Sequence, residues 1–160
     1  MIELKTTRLR LLSFTIALLI SLIPLPYWIN WLRPDFLALL LIYWIMITPE
    51  RVGLRTAWCL GIVVDLVQGN LLGLHALSFC LVAYLVLTLH QRLRVFPMVQ
   101  QAFCVLFLVG LQHLLVVWVE GITGHPPQDL SYLLSIASSM FVWPWLTFMM
   151  QELRRQRVFR

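Results

Sequence analysis

Charge is scarce in this 160-residue chain: Asp, Glu, Lys and Arg together make up 12 %, about half the share of an ordinary globular domain. A soluble fold of this size needs a charged coat, and so few charges cannot supply one. Cysteine is also scarce, with 3 in the chain. Cys59, Cys80 and Cys104 each lie inside an apolar run, and none sits in a CxxC pair. They read as packing residues rather than as a disulfide framework or a metal site. The motifs of several enzyme classes are missing as well: no HExxH, no Walker loop, no Gly-x-Ser-x-Gly elbow. An intramembrane aspartyl protease needs two facing carboxylates sharing a proton. Only Asp65 lies within an apolar run, and the flanking Asn/Asp motifs of small lipoprotein signal peptidases are absent.

What is abundant is hydrocarbon. Hydrophobic types reach 61 % and the mean hydropathy is +0.86, which excludes a disordered chain. The runs are continuous, as in FLALLLIYWIMIT at 36–48. Barrel strands would alternate with a period of two, so the sequence predicts an all-α membrane protein. Six spans are expected, at 11–26, 35–48, 55–68, 71–89, 99–119 and 131–150, in one integral membrane domain covering 1–160. The second and third are short against a hydrocarbon core of about 30 Å. Lys5, Arg8 and Arg10 before the first run resemble a signal peptide, but Pro24, Leu25 and Pro26 follow without a small-x-small cleavage site. The run therefore reads as a span, with Trp28 and Trp31 at the far interface.

Orientation follows from the basic residues. With both termini in the cytoplasm, every one of the 12 Lys and Arg residues except Arg33 falls on the inner side, as the positive-inside rule requires. The net charge of +5 is thus topogenic and does not signal nucleic acid. The terminal QELRRQRVFR reads as a stop and an anchor to anionic lipid. No cofactor is expected.

Asp65 is the most informative residue, because a carboxylate at membrane depth must pair, face the bundle interior or be protonated. Ala57, Gly61 and Asp65 recur every four residues and give one helix face a small profile, where a neighbour can approach closely. Two readings stay open. Asp65 is a ligand, ion or proton site, or it is a polar lock on a helix end, in which case Asp65→Asn should preserve function. Gly69 and Gly73 read as a turn rather than a dimer face. His75 is an interfacial polar tip and a possible partner for Asp65. Gln112 and His113 read as structural hydrogen-bonding groups, since His113 and Glu120 are two helical turns apart and cannot easily share a metal. Ser131, Ser135, Ser138 and Ser139 form a small polar stripe for close helix packing, within the bundle or with another helix. Pro144 should kink the last span. Pro34 and Asp35 suit the first turn of a helix. Arg33, the one external cation, should have a partner, with Asp35, Glu120 and Asp129 as the options.

The block 33–86 and the terminal VWPWLTFMMQELRRQ resemble the MreD family of rod-shape-determining inner-membrane proteins. The carriers are Arg33-Pro34-Asp35, Tyr43-Trp44, Pro49-x-Arg51-Val52, and Gly61-x3-Asp65-Leu66-x2-Gly69-x2-Leu72-Gly73. The resemblance implies a non-catalytic scaffold of the cell-elongation (peptidoglycan synthesis) complex in the bacterial inner membrane. It implies an MreC-like bitopic partner and, through it, an MreB-like filament, a RodA-type glycosyltransferase and a penicillin-binding transpeptidase. It also implies a bundle like the substrate-binding (S-component) subunits of energy-coupling-factor transporters. From that comes the alternative, a small-molecule-binding subunit of a transporter; an MreD-like bundle would keep a vestigial pocket, for example for a lipid, near Asp65, Gly61, Gly69 and Gly73. The surfaces expected to meet a partner are Trp28, Trp31, Arg33 and Asp35 on the outer rim and Ser131 and Ser135 on the last span.

Overall fold

The structure is a computed structural model and describes residues 2–24, 26–30, 32–124 and 131–158. Among these residues the regular structure is entirely helical: α1 (Ile2–Leu22), the single turn α2 (Tyr27–Asn30), α3 (Phe36–Ile47), α4 (Leu54–Gln68), α5 (Leu74–Val95), α6 (Met98–Ile122) and α7 (Ser131–Val158). The six longer helices match the six apolar runs, with shifted ends. Helix α1 begins at Ile2, well before the run at 11, because Lys5, Thr6 and Arg8 tolerate a helix that outlasts its apolar stretch. It stops at Leu22, ahead of Pro24 and Pro26, which lack the N–H a helix needs. Helix α5 starts at Leu74 rather than 71, since Gly73 adopts φ +99°. It then continues to Val95 and places Arg92 and Arg94 in its last turn, where positive charge opposes the helix dipole. Helix α7 runs as one element through Pro144 to Val158.

By length and composition, α5, α6 and the 132–156 part of α7 can each cross a membrane. Helix α3 has only 12 residues, about 18 Å of rise. Its shortness has a structural reason. Every residue from Leu37 to Met46 is buried, and α1, α5, α6 and α7 all pack around it. A helix that is apolar on all sides belongs in a core. Here α3 is the core. Trp44, fully buried, donates its indole N–H to Ser13 Oγ at 3.0 Å and so ties α3 to α1. One cation contributes to this interior: Arg10 is only 8 % exposed and donates to Thr7 Oγ1. By contrast Phe103, Phe107, Leu114 and Trp118 on α6 and Phe141, Trp145 and Phe148 on α7 are exposed, which suits surfaces solvated by acyl chains.

Helix α4 buries one narrow stripe, Ala57, Gly61, Val64 and Asp65, while Trp58, Leu66 and Val67 face outward. The stripe lies on α5, the most extensive helix pairing in the bundle. At Gly61 the two backbones touch. A Cβ there would lie 2.6 Å from the carbonyl carbon of His75 and closer still to Ala76 N and Cα.

Candidate functional site

Two polar nodes occupy the end of the bundle where α4 ends and α3, α5 and α7 begin. The first is built on Asp65. Its side chain is buried, and its carboxylate reaches across the 69–73 turn to the start of α5. The Gly73 N–H donates to Oδ2 at 2.8 Å and the His75 N–H donates to Oδ1 at 3.0 Å. The His75 ring adds a contact of 2.8 Å from Nδ1 to Oδ1, which requires the proton on Nδ1. The carboxylate thus satisfies amide donors that a helix start leaves without intrahelical partners, and its charge sits where the helix dipole favours an anion. Gly69 makes the turn possible. It closes α4 in the left-handed conformation at φ +68°, and its N–H bonds back to the Asp65 carbonyl. His75 in turn packs edge-on against Phe79, with ring centroids 6.1 Å apart. Asp65 and His75 are therefore direct partners, and Gly69 and Gly73 form a turn.

The second node is built on Asp35. One carboxylate oxygen accepts from the Ala38 N–H at 3.1 Å and caps α3; the other accepts from Gln112 Nε2 of α6 at 2.8 Å. Ser139 Oγ accepts the Asp35 N–H at 3.1 Å, and Ser135 Oγ donates to the Arg33 carbonyl at 2.6 Å. Helices α3, α6 and α7 are thereby joined through one loop. The serine stripe faces the bundle at these two positions; Ser138 and Ser139 also donate to the Ser135 carbonyl. Ser131 opens α7, with its side chain outside the described residues. Replacing Asp35 with Ala should cost about 1–2 kcal/mol for the lost cap. It should cost more for Gln112, whose amide is left buried. Thermal unfolding in detergent measures it, and an unchanged midpoint would show that the node contributes nothing.

Arg33 takes a partner outside the three options read from the sequence. Its guanidinium donates to the Ile23 carbonyl at 3.1 Å, while the Asp35 carboxylate is already occupied. Asp129 lies outside the described residues. Among the described residues, one terminal nitrogen of Arg33 and the Gln112 carbonyl oxygen are buried without a hydrogen-bond partner. The indole of Trp28, on α2, is 69 % exposed; Trp31 falls outside the described residues. His113 contacts the Val109 carbonyl of its own helix through Nδ1 at 3.0 Å.

Between the two nodes lies a cavity of about 570 Å³ whose wall includes Arg33, Asp35, Gln68, His75, His113 and Ser135. Residues distant in the chain but singled out in the sequence meet here. Asp65 stands behind His75 rather than in the wall. The chemistry on offer is hydrogen-bonding, with one guanidinium, Arg33, and one carboxylate, Asp35, in the wall. Among the described residues no group of His, Cys, Asp and Glu could hold a metal ion.

These features define a class: a helical membrane protein whose polar groups are spent mainly on joining helix ends. The family model for the rod shape-determining protein MreD matches residues 4–153, and the chain belongs to that family. It is similar to the rod shape-determining protein MreD of Haemophilus influenzae, with 30 % identity over 143 residues, covering 89 % of this chain and 88 % of the relative. No solved structure matches. Membership in this family supports a role in determining rod shape.

Proposed function

We propose that the protein is a non-catalytic scaffold of the cell-elongation complex in the bacterial inner membrane. It crosses that membrane six times with both termini in the cytoplasm, and it holds an MreC-like bitopic protein. Through that partner it meets an MreB-like filament, a RodA-type glycosyltransferase and a penicillin-binding transpeptidase. The family match over 4–153 carries the reading. The two nodes support it, because their carboxylates accept from helix ends and a neighbouring amide instead of lying open beside a reactive group. The crossing number draws on six helices at the six apolar runs, three of them long and apolar enough to cross by themselves, and on the distribution of basic residues along the chain. Trp28 and Arg33 remain the proposed rim contacts for the partner, by van der Waals packing and hydrogen bonding, since lipid provides no hydrophobic drive between helices.

One observation favours a second reading. The cavity of about 570 Å³ at the arginine-poor end is large enough for a small ligand, as in a transporter's binding subunit. Co-purification from the native host in gentle detergent, followed by mass spectrometry, separates the two. The scaffold reading expects an MreC-like protein and wall-synthesis enzymes. Recovery of an energy-coupling ATPase module without them would overturn it.

A further inference from the structure

At the opposite, arginine-rich end lies a second cavity, of about 470 Å³, among the C-terminal halves of α3 and α7, the last turn of α5 and the first turn of α6. Arg94, Arg154 and Arg155 line it, and among the described residues no carboxylate does. Deeper in the same wall are Tyr43, 3 % exposed, and Trp143, fully buried. Among the described residues the Trp143 indole N–H is buried without a hydrogen-bond partner, and the Tyr43 hydroxyl makes no hydrogen bond of good geometry, although the Arg154 guanidinium lies close enough to reach that hydroxyl. Native interiors rarely leave such groups unsatisfied. The wall is also built in place: Gln101 donates to the Leu93 and Phe96 carbonyls at 2.8 and 3.3 Å and fixes the end of α5, which carries Arg94, against the start of α6.

We propose that this cavity binds the phosphate headgroup of an anionic membrane lipid. Three guanidiniums offer the forked donors that suit phosphate oxygens, and the Tyr43 and Trp143 donors would complete the acceptor-rich headgroup's hydrogen bonds from below. A lipid is favoured over a soluble phosphate because Met46 and Ile47 add apolar wall and because the helices that frame the cavity, α5, α6 and α7, are those long and apolar enough to cross a bilayer. Basic pockets between transmembrane helices at that depth suit anionic headgroups. The proposal rests on the membrane-crossing reading of these helices and is independent of any protein partner.

The test is native mass spectrometry of the full chain released from nanodiscs containing equal phosphatidylglycerol and phosphatidylcholine, with a parallel titration by inorganic pyrophosphate. The intact protein should retain phosphatidylglycerol with roughly tenfold preference. The triple variant Arg94→Gln/Arg154→Gln/Arg155→Gln should lose that preference, and Tyr43→Phe should weaken it while leaving the protein folded. A control with three charges removed at exposed positions elsewhere on the same end, Arg8→Gln/Arg55→Gln/Arg92→Gln, should keep it. Equal loss in both triple variants would reduce the effect to general surface charge and overturn the site. No preference in the intact protein would overturn it too. Pyrophosphate binding that is lost in the first triple variant, with no lipid retained, would overturn the lipid source. Failure of these arms leaves the co-purification result untouched, so the two readings fail separately.

Discussion

Gly61→Ala should destabilise the protein by about 3 kcal/mol or more, beyond the usual range for one added methyl, and sharply reduce its abundance in the membrane. The reason is what the methyl meets. In most overpacked cores the neighbour is a side chain that can change rotamer. Here the neighbours are the backbone atoms of His75 and Ala76, which can yield only if α5 moves away from α4. That movement would pull the α5 N-terminus off the Asp65 carboxylate as well, so one substitution disturbs both the helix pairing and the first polar node. Gly110→Ala is the control. A Cβ at Gly110, within α6, would meet Ile136 at 3.9 Å, an ordinary contact. That change should be neutral or stabilise by about 0.5–1 kcal/mol through reduced backbone entropy. Unfolding midpoints of the two variants in the same detergent decide the matter, and similar behaviour of both would refute the close crossing.

Asp65→Ala is the second large effect, a loss of about 3–5 kcal/mol. The substitution leaves two amide donors at the start of α5 and the half-buried His75 ring without their acceptor. The structure also changes the expectation for Asp65→Asn. A lock with a single donor would accept an amide in place of the carboxylate. This carboxylate receives bonds on both oxygens, from Gly73 on one and from His75 twice on the other. An asparagine has one acceptor oxygen, so its NH2 must face a donor. Asp65→Asn should therefore lose about 1–3 kcal/mol. Cell-shape complementation scored against membrane abundance separates structure from function: activity that falls only in step with abundance marks a lock. Loss of function at normal abundance would place a ligand or proton at Asp65.

The history of Asp65 shows how much of the site could be read from the residues. Its cost in a membrane was visible, as was the small face it shares with Ala57 and Gly61. His75 stood in the sequence as a possible partner, and the pairing itself depends on how tightly the 69–73 turn brings α5 back over α4. Asp35 was expected inside the first helical turn and instead stands one position earlier, as the N-cap of α3. Its bond to Gln112, 77 positions away in the chain, had no local signal, because hydrogen bonds between helices follow packing angles rather than spacing. Arg33 had three carboxylates as its options in the sequence; among the described residues its guanidinium donates to the Ile23 carbonyl, and Asp129 lies outside those residues. Tyr43 and Trp143 count in the sequence only as carriers of the family resemblance. Aromatic residues inside apolar runs look like ordinary core until the structure shows where their polar atoms lie.

The sequence by itself determined the helical class, the scarcity of soluble surface, the approximate positions of the helices and the concentration of positive charge at one end. These depend on local hydropathy, on proline and glycine punctuation and on the count of basic residues, all of which act along the chain. Only the tertiary structure decided that the shortest of the six long helices, α3, is the centre of the bundle. It alone decided that Gly61 is a backbone contact, that Asp65 caps α5 and that one cavity gathers Arg33, His75, His113 and Ser135. Each of those depends on which faces meet in space. A bilayer stabilises every apolar helix in much the same way, so hydropathy alone leaves their arrangement open. Close packing and the need to satisfy each buried polar atom select it.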